Sequence, residues 1–203
     1  RVIGSPDPYG KHTDGMGGAT SSTSKVVLVS KSDRPDHDVD YLFGQVSIDS
    51  PFVDWSGNCG NLSAAVGPFA IEEGLIDEAR VPAEGPCEVR IWQANIEKTL
   101  LNQVPMSGGA VQETGDFELD GVTFPAAEVP VDFLDPADGE GALFPTGQLV
   151  DHLEVPGVGT FEATMINSGI PTIFLRAAEL GYTMNAGPEA EFFLFQRDAE
   201  GGA

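Results

Sequence analysis

Read for where apolar side chains recur, the chain is mostly a succession of short strands. "KVVLVS" (25–30) is a continuous apolar run of strand length, and "VDYLFGQVSI" (39–48) adds partial alternation. Residues 1–24 yield no regular element, because Gly4, Pro6, Pro8, Gly10, Gly15, Gly17 and Gly18 punctuate them too closely. One segment has the longer period of a helix. Leu62, Ala65, Val66, Phe69 and Ala70 fall on one face, and Glu72-Glu73-Gly74 closes the run. Gly67-Pro68 lies inside it, which predicts a kink or a late start. Beyond it the pattern returns to strands: "CEVRIWQANI" (87–96) with "KTLLNQVP" (98–105), "AAEVPVDFL" (126–134), "LVDHLEVPG" paired with "GTFEATMIN" (159–167) across Pro156-Gly157, and "PTIFL" (171–175). Many strands around one substantial helix predict an α+β protein rather than alternating βαβ units.

Composition narrows the function classes. With 203 residues and 41% hydrophobic content, the chain can bury one sizeable core or two small ones. Its 32 acidic residues against 10 basic ones give a formal net charge of −22, spread along the chain. Such a field repels phosphate backbones and anionic bilayers, so neither nucleic acid nor a membrane is expected as a partner. Lysine supplies only four of the ten cations, a surface composition that fits a salt-adapted source with an acidic proteome. No apolar run reaches the length of a membrane span, and no signal peptide is visible. Two cysteines make no disulfide framework, and a cytoplasmic location is expected. His12, His37 and His152 have no ligand spacing, and each reads as a surface residue. Cys87 reads as core, and Trp55 and Trp92 as packing residues.

Two stretches could carry chemistry. In "SGNCGNL" (56–62), Cys59 stands between Gly57-Asn58 and Gly60-Asn61 at the entry to the helix. A helix N-terminus offers unpaired N–H groups and the positive end of a dipole. Glycines let an anion approach that backbone, and helix N-termini favour thiolate over thiol. The turn can therefore cradle a carboxylate, with Asn58 and Asn61 adding amides. The plainer alternative is a glycine-shaped turn around an inert thiol. In "GMGGATSSTSK" (15–25), Gly18 and the hydroxyls of Thr20, Ser21, Ser22, Thr23 and Ser24 precede Lys25. They suit a polyanion with a lysine as counter-charge or base, and the plainer alternative is a serine-rich surface loop. The spacing of a phosphate-binding P-loop is absent.

Together the motifs resemble the 2-methylaconitate cis–trans isomerase family, with its methylitaconate and oxalomesaconate isomerase relatives. "RVIGSPDPYGKHTDGMGGATSSTSKVVLVS", "RPDHDVDYLFGQVSID", "VDWSGNCGNLSAAVGPFAIEEGL", "VRIWQANIEKTL" and "GDFELDGVTFPAAEV" carry the likeness, from residue 1 to about 175. The resemblance implies a diaminopimelate-epimerase-like fold, whose lobes each wrap a curved antiparallel sheet around a helix. It implies proton transfer on an unsaturated di- or tricarboxylate without cofactor or metal. By resemblance Lys25 is the general acid/base and Cys59 the cysteine of the site. The substrate-binding set is then Gly18, Thr20, Ser21, Ser22, Thr23, Gly57, Asn58, Gly60 and Asn61. Family chains start earlier, with a glycine-serine-lysine motif absent here, and run to nearly twice this length through a second lobe.

The tail departs from that pattern. "AAELGYTMNAGPEAEFFLFQRDAEGG" (177–202) resembles a fragment of glutamine synthetase, which divides the chain into an incomplete isomerase lobe (1–175) and a short appended tail (176–203). Glu189 and Glu191, two apart on a strand, match metal-ligating positions of that second family. The principal reading is a cofactor-independent isomerase of unsaturated tricarboxylates, weakened or inactive where half the cleft is lacking. Its rivals are a non-catalytic lobe that binds small carboxylates and a metal site at the tail. A second copy of the chain is a candidate partner.

Overall fold

The computed structural model describes residues 1–137, 143–168, 170–175, 182–186 and 192–196. They fall into two units, 1–134 and 135–203. The α+β expectation holds: among the described residues one α-helix accompanies twelve strands.

The first unit is built on a seven-stranded sheet. Its strands are β1 (Lys25–Lys31), β2 (Val39–Val46), β3 (Val53–Asp54), β4 (Gly85–Gln93), β5 (Lys98–Ser107), β6 (Ala110–Val111) and β7 (Val131–Phe133). The main order is β1-β2-β4-β5-β6, with β3 on β2 and β7 on β5. All pairs are antiparallel except β2 with β4, where Val39 faces Ile91 and Tyr41 faces Gln93. A parallel pair needs a crossover rather than a hairpin, and the connection from β2 to β4 contains the helix α1 (Gly60–Glu72). The Gly108-Gly109 dipeptide, with φ of 60° and 79°, closes the two-residue β5–β6 hairpin.

Side-chain alternation decides which face the helix covers. Cys87, Val89, Ile91 and Gln93 of β4 and Leu100, Asn102, Val104 and Met106 of β5 all point inward and are buried. α1 answers with Ser63, Val66, Gly67 and Ala70, spaced i, i+3, i+4, i+7. Its C-terminus is a Schellman motif around Gly74 (φ 67°): Leu75 N–H donates to Ala70 O at 2.8 Å and Gly74 N–H to Ile71 O at 3.1 Å. The helix begins at Gly60 and continues through Pro68 without a break, so its start is not delayed. Gly67 N–H donates at 2.8 Å to Oδ1 of Asn102, a fully buried residue of β5.

Residues 1–24 hold together without strands through backbone bonds between turns, such as Met16 N–H to Val2 O at 2.9 Å and Gly17 N–H to Ile3 O at 3.1 Å, and through side chains. The Asp7 carboxylate accepts the N–H groups of Tyr9, Lys11 and His12 at 2.8–2.9 Å. His12 is a correction to the surface assignment. It is 1% exposed, its Nε2 lies 3.3 Å from Ile48 O, and a Cβ on Gly17 would sit 2.5 Å from its Nδ1. His37 is half-buried, and His152 is exposed.

The Tyr9 and Lys11 amides, then that of His12, hold the Asp7 carboxyl below its ordinary value. Its contribution to stability is therefore complete above about pH 4 and is lost as pH falls through the lowered folded value. Urea unfolding of the native chain and Asp7→Asn at pH 6 and pH 3 tests this. The gap between the two proteins should be present at pH 6 and shrink at pH 3, and a gap independent of pH would contradict it.

The second unit contains the hairpin β8 (Asp151–Val155) and β9 (Gly159–Ser168), paired across Pro156-Gly157 as the sequence indicated, with β10 (Ile170–Leu175) on the other side of β9. Strands β11 (Tyr182–Ala186) and β12 (Phe192–Gln196) form a separate antiparallel pair. Among the described residues, no helix is long and apolar enough to cross a membrane.

Candidate active site

Lys25 opens β1 and pairs with Gln45 of β2, directly after the hydroxyl-rich loop. That loop is held by two of its own residues. The Thr23 hydroxyl oxygen accepts from Gly18 N–H at 3.1 Å and Thr20 N–H at 3.3 Å, and lies 3.0 Å from Thr20 Oγ1. Ser24 is fully buried and donates to Val46 O at 2.7 Å, while Gln45 Nε2 donates to Ser21 O and Ser24 O. The five hydroxyls thus divide by role. Ser24 is buried against β2, Thr23 closes the loop from an exposed position, and Thr20, Ser21 and Ser22 are exposed, with the Thr20 hydroxyl 3.4 Å from that of Ser22.

Cys59 is the N-cap of α1, with extended backbone (φ −127°, ψ 112°) and no side-chain cap hydrogen bond. Capping positions favour Ser, Thr, Asp or Asn because an oxygen there accepts an orphan N–H; a thiol forgoes that. The residue is buried (9% exposed) over Tyr41 and Ser63, both fully buried. The Ser63 hydroxyl donates to Cys59 O at 2.9 Å and the Tyr41 hydroxyl approaches it at 3.4 Å. Burial pushes the Tyr41 phenol up to about 12, so it remains a neutral donor under any ordinary condition.

The glycines of this turn need explaining. Gly57 and Gly60 are not among the positive-φ residues. A Cβ at Gly60 would meet no atom within 4 Å, and one at Gly57 only the Phe43 ring at 3.7 Å. Neither the backbone conformation nor the packing of this chain requires glycine at either place. Beside them, Asn58 Oδ1 is buried without a hydrogen-bond partner among the described residues. Asn61 and Gly60 are exposed.

Lys25 shares a groove with one flank of α1. Val27 and Val29 of β1 and Leu62, Ala65, Val66 and Phe69 of the helix line about 270 Å³ with it. The structure therefore joins Lys25 to α1, while the 18–24 loop and the 57–61 turn lie outside that groove's lining.

A second, polar pocket of about 350 Å³ went unnoticed in the sequence, where its residues are scattered: Pro35, Asp36, His37, Asp38, Arg80 and Arg90. Its charges largely answer one another. Arg80 pairs with Asp38, whose other oxygen accepts Arg90 N–H at 2.8 Å, and Arg90 Nε donates to Asp36 O at 2.9 Å. His37 lies edge-on to Trp92, which Arg34 covers at 4.5 Å. Burial, then Arg90 and Arg34, lower the His37 pKa. These groups tie β2 to β4 and to the 3₁₀ turn Glu78–Arg80. Among the described residues, no three His, Cys, Asp or Glu side chains gather where a metal could be held. Cys59 and Cys87 are both free thiols. Glu189 and Glu191 lie outside the described residues.

Comparison with known proteins gives a consistent picture. The family described as PrpF protein matches residues 1–191. The 2-methyl-aconitate isomerase of Cupriavidus necator is 73% identical over 187 residues, covering 90% of this chain and 47% of that protein. The 4-oxalomesaconate tautomerase of Pseudomonas putida is 46% identical over 183 residues, 90% of this chain and 48% of its own length. The crystal structure of a methylitaconate-delta-isomerase superimposes with a TM-score of 0.75 at 38% identity, over 89% of this chain and 45% of that one. The fold is thus the diaminopimelate-epimerase-like one. The chain spans about half the length of the curated relatives it matches. The family match runs past residue 177, and the glutamine synthetase reading of the tail has no support.

Proposed function

The chain belongs to the PrpF protein family, and from that premise we propose that it isomerises an unsaturated tricarboxylate of the 2-methylaconitate kind by abstracting and returning one proton, without a cofactor. The names of its relatives support the substrate class: proteins called 2-methyl-aconitate isomerase, 4-oxalomesaconate tautomerase and 3-methylitaconate isomerase are 38–73% identical to it over the aligned residues.

In this reading the Lys25 amine takes the proton from the carbon next to the double bond. The C–H electron pair moves into conjugation with a carboxylate, giving a dienolate, and the Lys25 ammonium returns the proton to carbon. No electrons leave the substrate. Negative charge on the carboxylates is met by the N–H groups at the start of α1, the turn of Gly57, Asn58, Gly60 and Asn61, and the loop of Gly18, Thr20, Ser21 and Ser22, which Thr23 holds in shape. Cys59 lines that turn. Propionate catabolism is a metabolic setting that suits this substrate.

The observation that carries the reading is the pair of glycines at 57 and 60, which the chain's own geometry does not require. Glycine then serves the close approach of a ligand to backbone N–H groups. Gly60→Ala tests it by separating stability from function. Alanine at the first helical position should raise the unfolding free energy by about 0.5 kcal/mol. It should also slow solvent-deuterium exchange into trans-aconitate at high salt about tenfold, a loss of about 1.4 kcal/mol of binding to the reacting state. Unchanged exchange in a stabilised variant would remove the carboxylate from this turn.

One observation favours a rival, a lobe that binds without turnover: the 57–61 turn lies outside the lining of the groove that holds Lys25. That rival predicts trans-aconitate-dependent shifts at residues 57–61 with no exchange.

A further inference from the structure

We propose that Asn95, on the β4–β5 connection, is the positioning residue that fixes the 55–61 turn. The proposal rests on the reading of that turn as the carboxylate site. The Asn95 side chain uses its whole hydrogen-bonding capacity. Oδ1 accepts Phe43 N–H at 2.8 Å and Gln93 Nε2 at 2.7 Å, and Nδ2 donates to Phe43 O at 2.8 Å and to Trp55 O at 2.7 Å. The parallel register of β2 and β4 ends at Tyr41 opposite Gln93. Past that point the Asn95 amide takes the place of a strand and pairs both backbone groups of Phe43. The same amide then reaches the carbonyl of Trp55, where the chain leaves β3.

Both ends of the tie bear on the turn. The Phe43 ring is the nearest support under Gly57, at 3.7 Å from the position of a Cβ. Trp55 lies against Gly44, whose absent Cβ would meet its ring at 2.8 Å. Between Trp55 and Gly57, Asp54 Oδ1 accepts the Ser56 amide at 2.9 Å and hydroxyl at 2.6 Å, which folds the chain back toward Cys59. Gln93 is fully buried and anchors Asn95 in turn, its Oε1 accepting Ile96 N–H at 2.9 Å. Register, ring support and turn entry therefore converge on one amide. A half-buried network in which every bond of the Asn95 amide is made holds a single geometry, as a carboxylate site requires.

The test reads Cys59, which follows the turn and needs no turnover. Asn95→Asp is isosteric and replaces the two donors with an oxygen facing two carbonyls, while Asn95→Ala removes all four bonds. Alkylation by iodoacetamide is followed at Cys59 and at buried Cys87 in the same sample. Loss of the tie should speed Cys59 alkylation about tenfold in both variants and leave Cys87 within about twofold. Trans-aconitate should slow Cys59 alkylation in the unsubstituted chain, and loss of the tie should abolish that slowing, which a purely structural loosening elsewhere would leave intact. Hydrogen exchange of the unsubstituted chain gives the same answer without a substitution: the Phe43 amide and the amides of residues 58–61 should open in one event, with one denaturant dependence. Unchanged Cys59 alkylation, parallel acceleration of both cysteines, or separate opening of Phe43 and the turn would each overturn the proposal. If trans-aconitate fails to protect Cys59 in the unsubstituted chain while the tie behaves as described, the carboxylate reading fails and the tie stands.

Discussion

Lys25→Ala should eliminate solvent-deuterium exchange into trans-aconitate, lowering it about 10³-fold or to the background rate, and should leave the fold intact. General acid–base groups contribute about 10²- to 10⁴-fold, and a one-base proton shift has no second group to carry the reaction when the first is removed. The fold should tolerate the change because Lys25 enters the sheet through its backbone, paired with Gln45, and its half-buried side chain rests at the edge of the β1–α1 groove. Lys25→Arg sharpens the result. Arginine keeps the positive charge but does not deprotonate in proteins, so it should be as inactive as alanine if Lys25 is the base. If Lys25 only attracts the carboxylates, arginine should keep most of the activity. The assay is proton NMR of the vinylic and methylene signals in deuterated buffer at high salt, with urea unfolding of each protein alongside. Undiminished exchange in Lys25→Ala would end the assignment.

The second large effect is on stability. Gly67→Ala should lower the unfolding free energy by about 2–4 kcal/mol, a large part of the roughly 5–15 kcal/mol that keeps a domain folded. In an exposed helix the same change would help by about 1 kcal/mol. Here the new Cβ would lie 2.7 Å from Asn102 Oδ1 and Val104 Cγ2 and 2.8 Å from Asn102 Cβ, against a fully buried stretch of β5. Moving the helix away relieves that contact but breaks the Gly67–Asn102 hydrogen bond. Overpacking costs about 1–3 kcal/mol, and leaving buried groups unpaired costs about as much again. Urea unfolding by far-ultraviolet circular dichroism measures the sum. A variant as stable as the native chain would mean that α1 does not sit on β5 at this distance.

Much of the fold was legible along the chain. β1, β2, β4, β5 and the β8–β9 hairpin stand close to where the apolar runs end, because strand length, alternation and Pro-Gly turns are local properties. The Cys59 helix entry was equally plain from the glycine turn and the periodic run after it. The partner of Gly67 N–H was not legible, because it is Asn102, on a strand the local window does not contain. His12 was misread for a related reason. Its neighbours in sequence are polar, but the loop of residues 1–18 folds over it and ties it to Ile48.

The candidate site divides along the same line. The residue types, two glycines and two asparagines around a thiol and a lysine after a run of hydroxyls, are sequence properties, and so is the family they identify. Which hydroxyls are committed to the loop, which glycines the fold itself does not require, and which distant amide holds the turn are not. The sequence by itself determined the strands, the helix, the charge and the chemistry available, since these depend on side chains a few positions apart. Only the tertiary structure decided that Ser24 and Thr23 are structural, that Gly67 fits no larger residue, and that Asn95 reaches Trp55. Each depends on atoms that meet across tens of residues, where packing density and hydrogen-bond satisfaction rather than local propensity set the outcome.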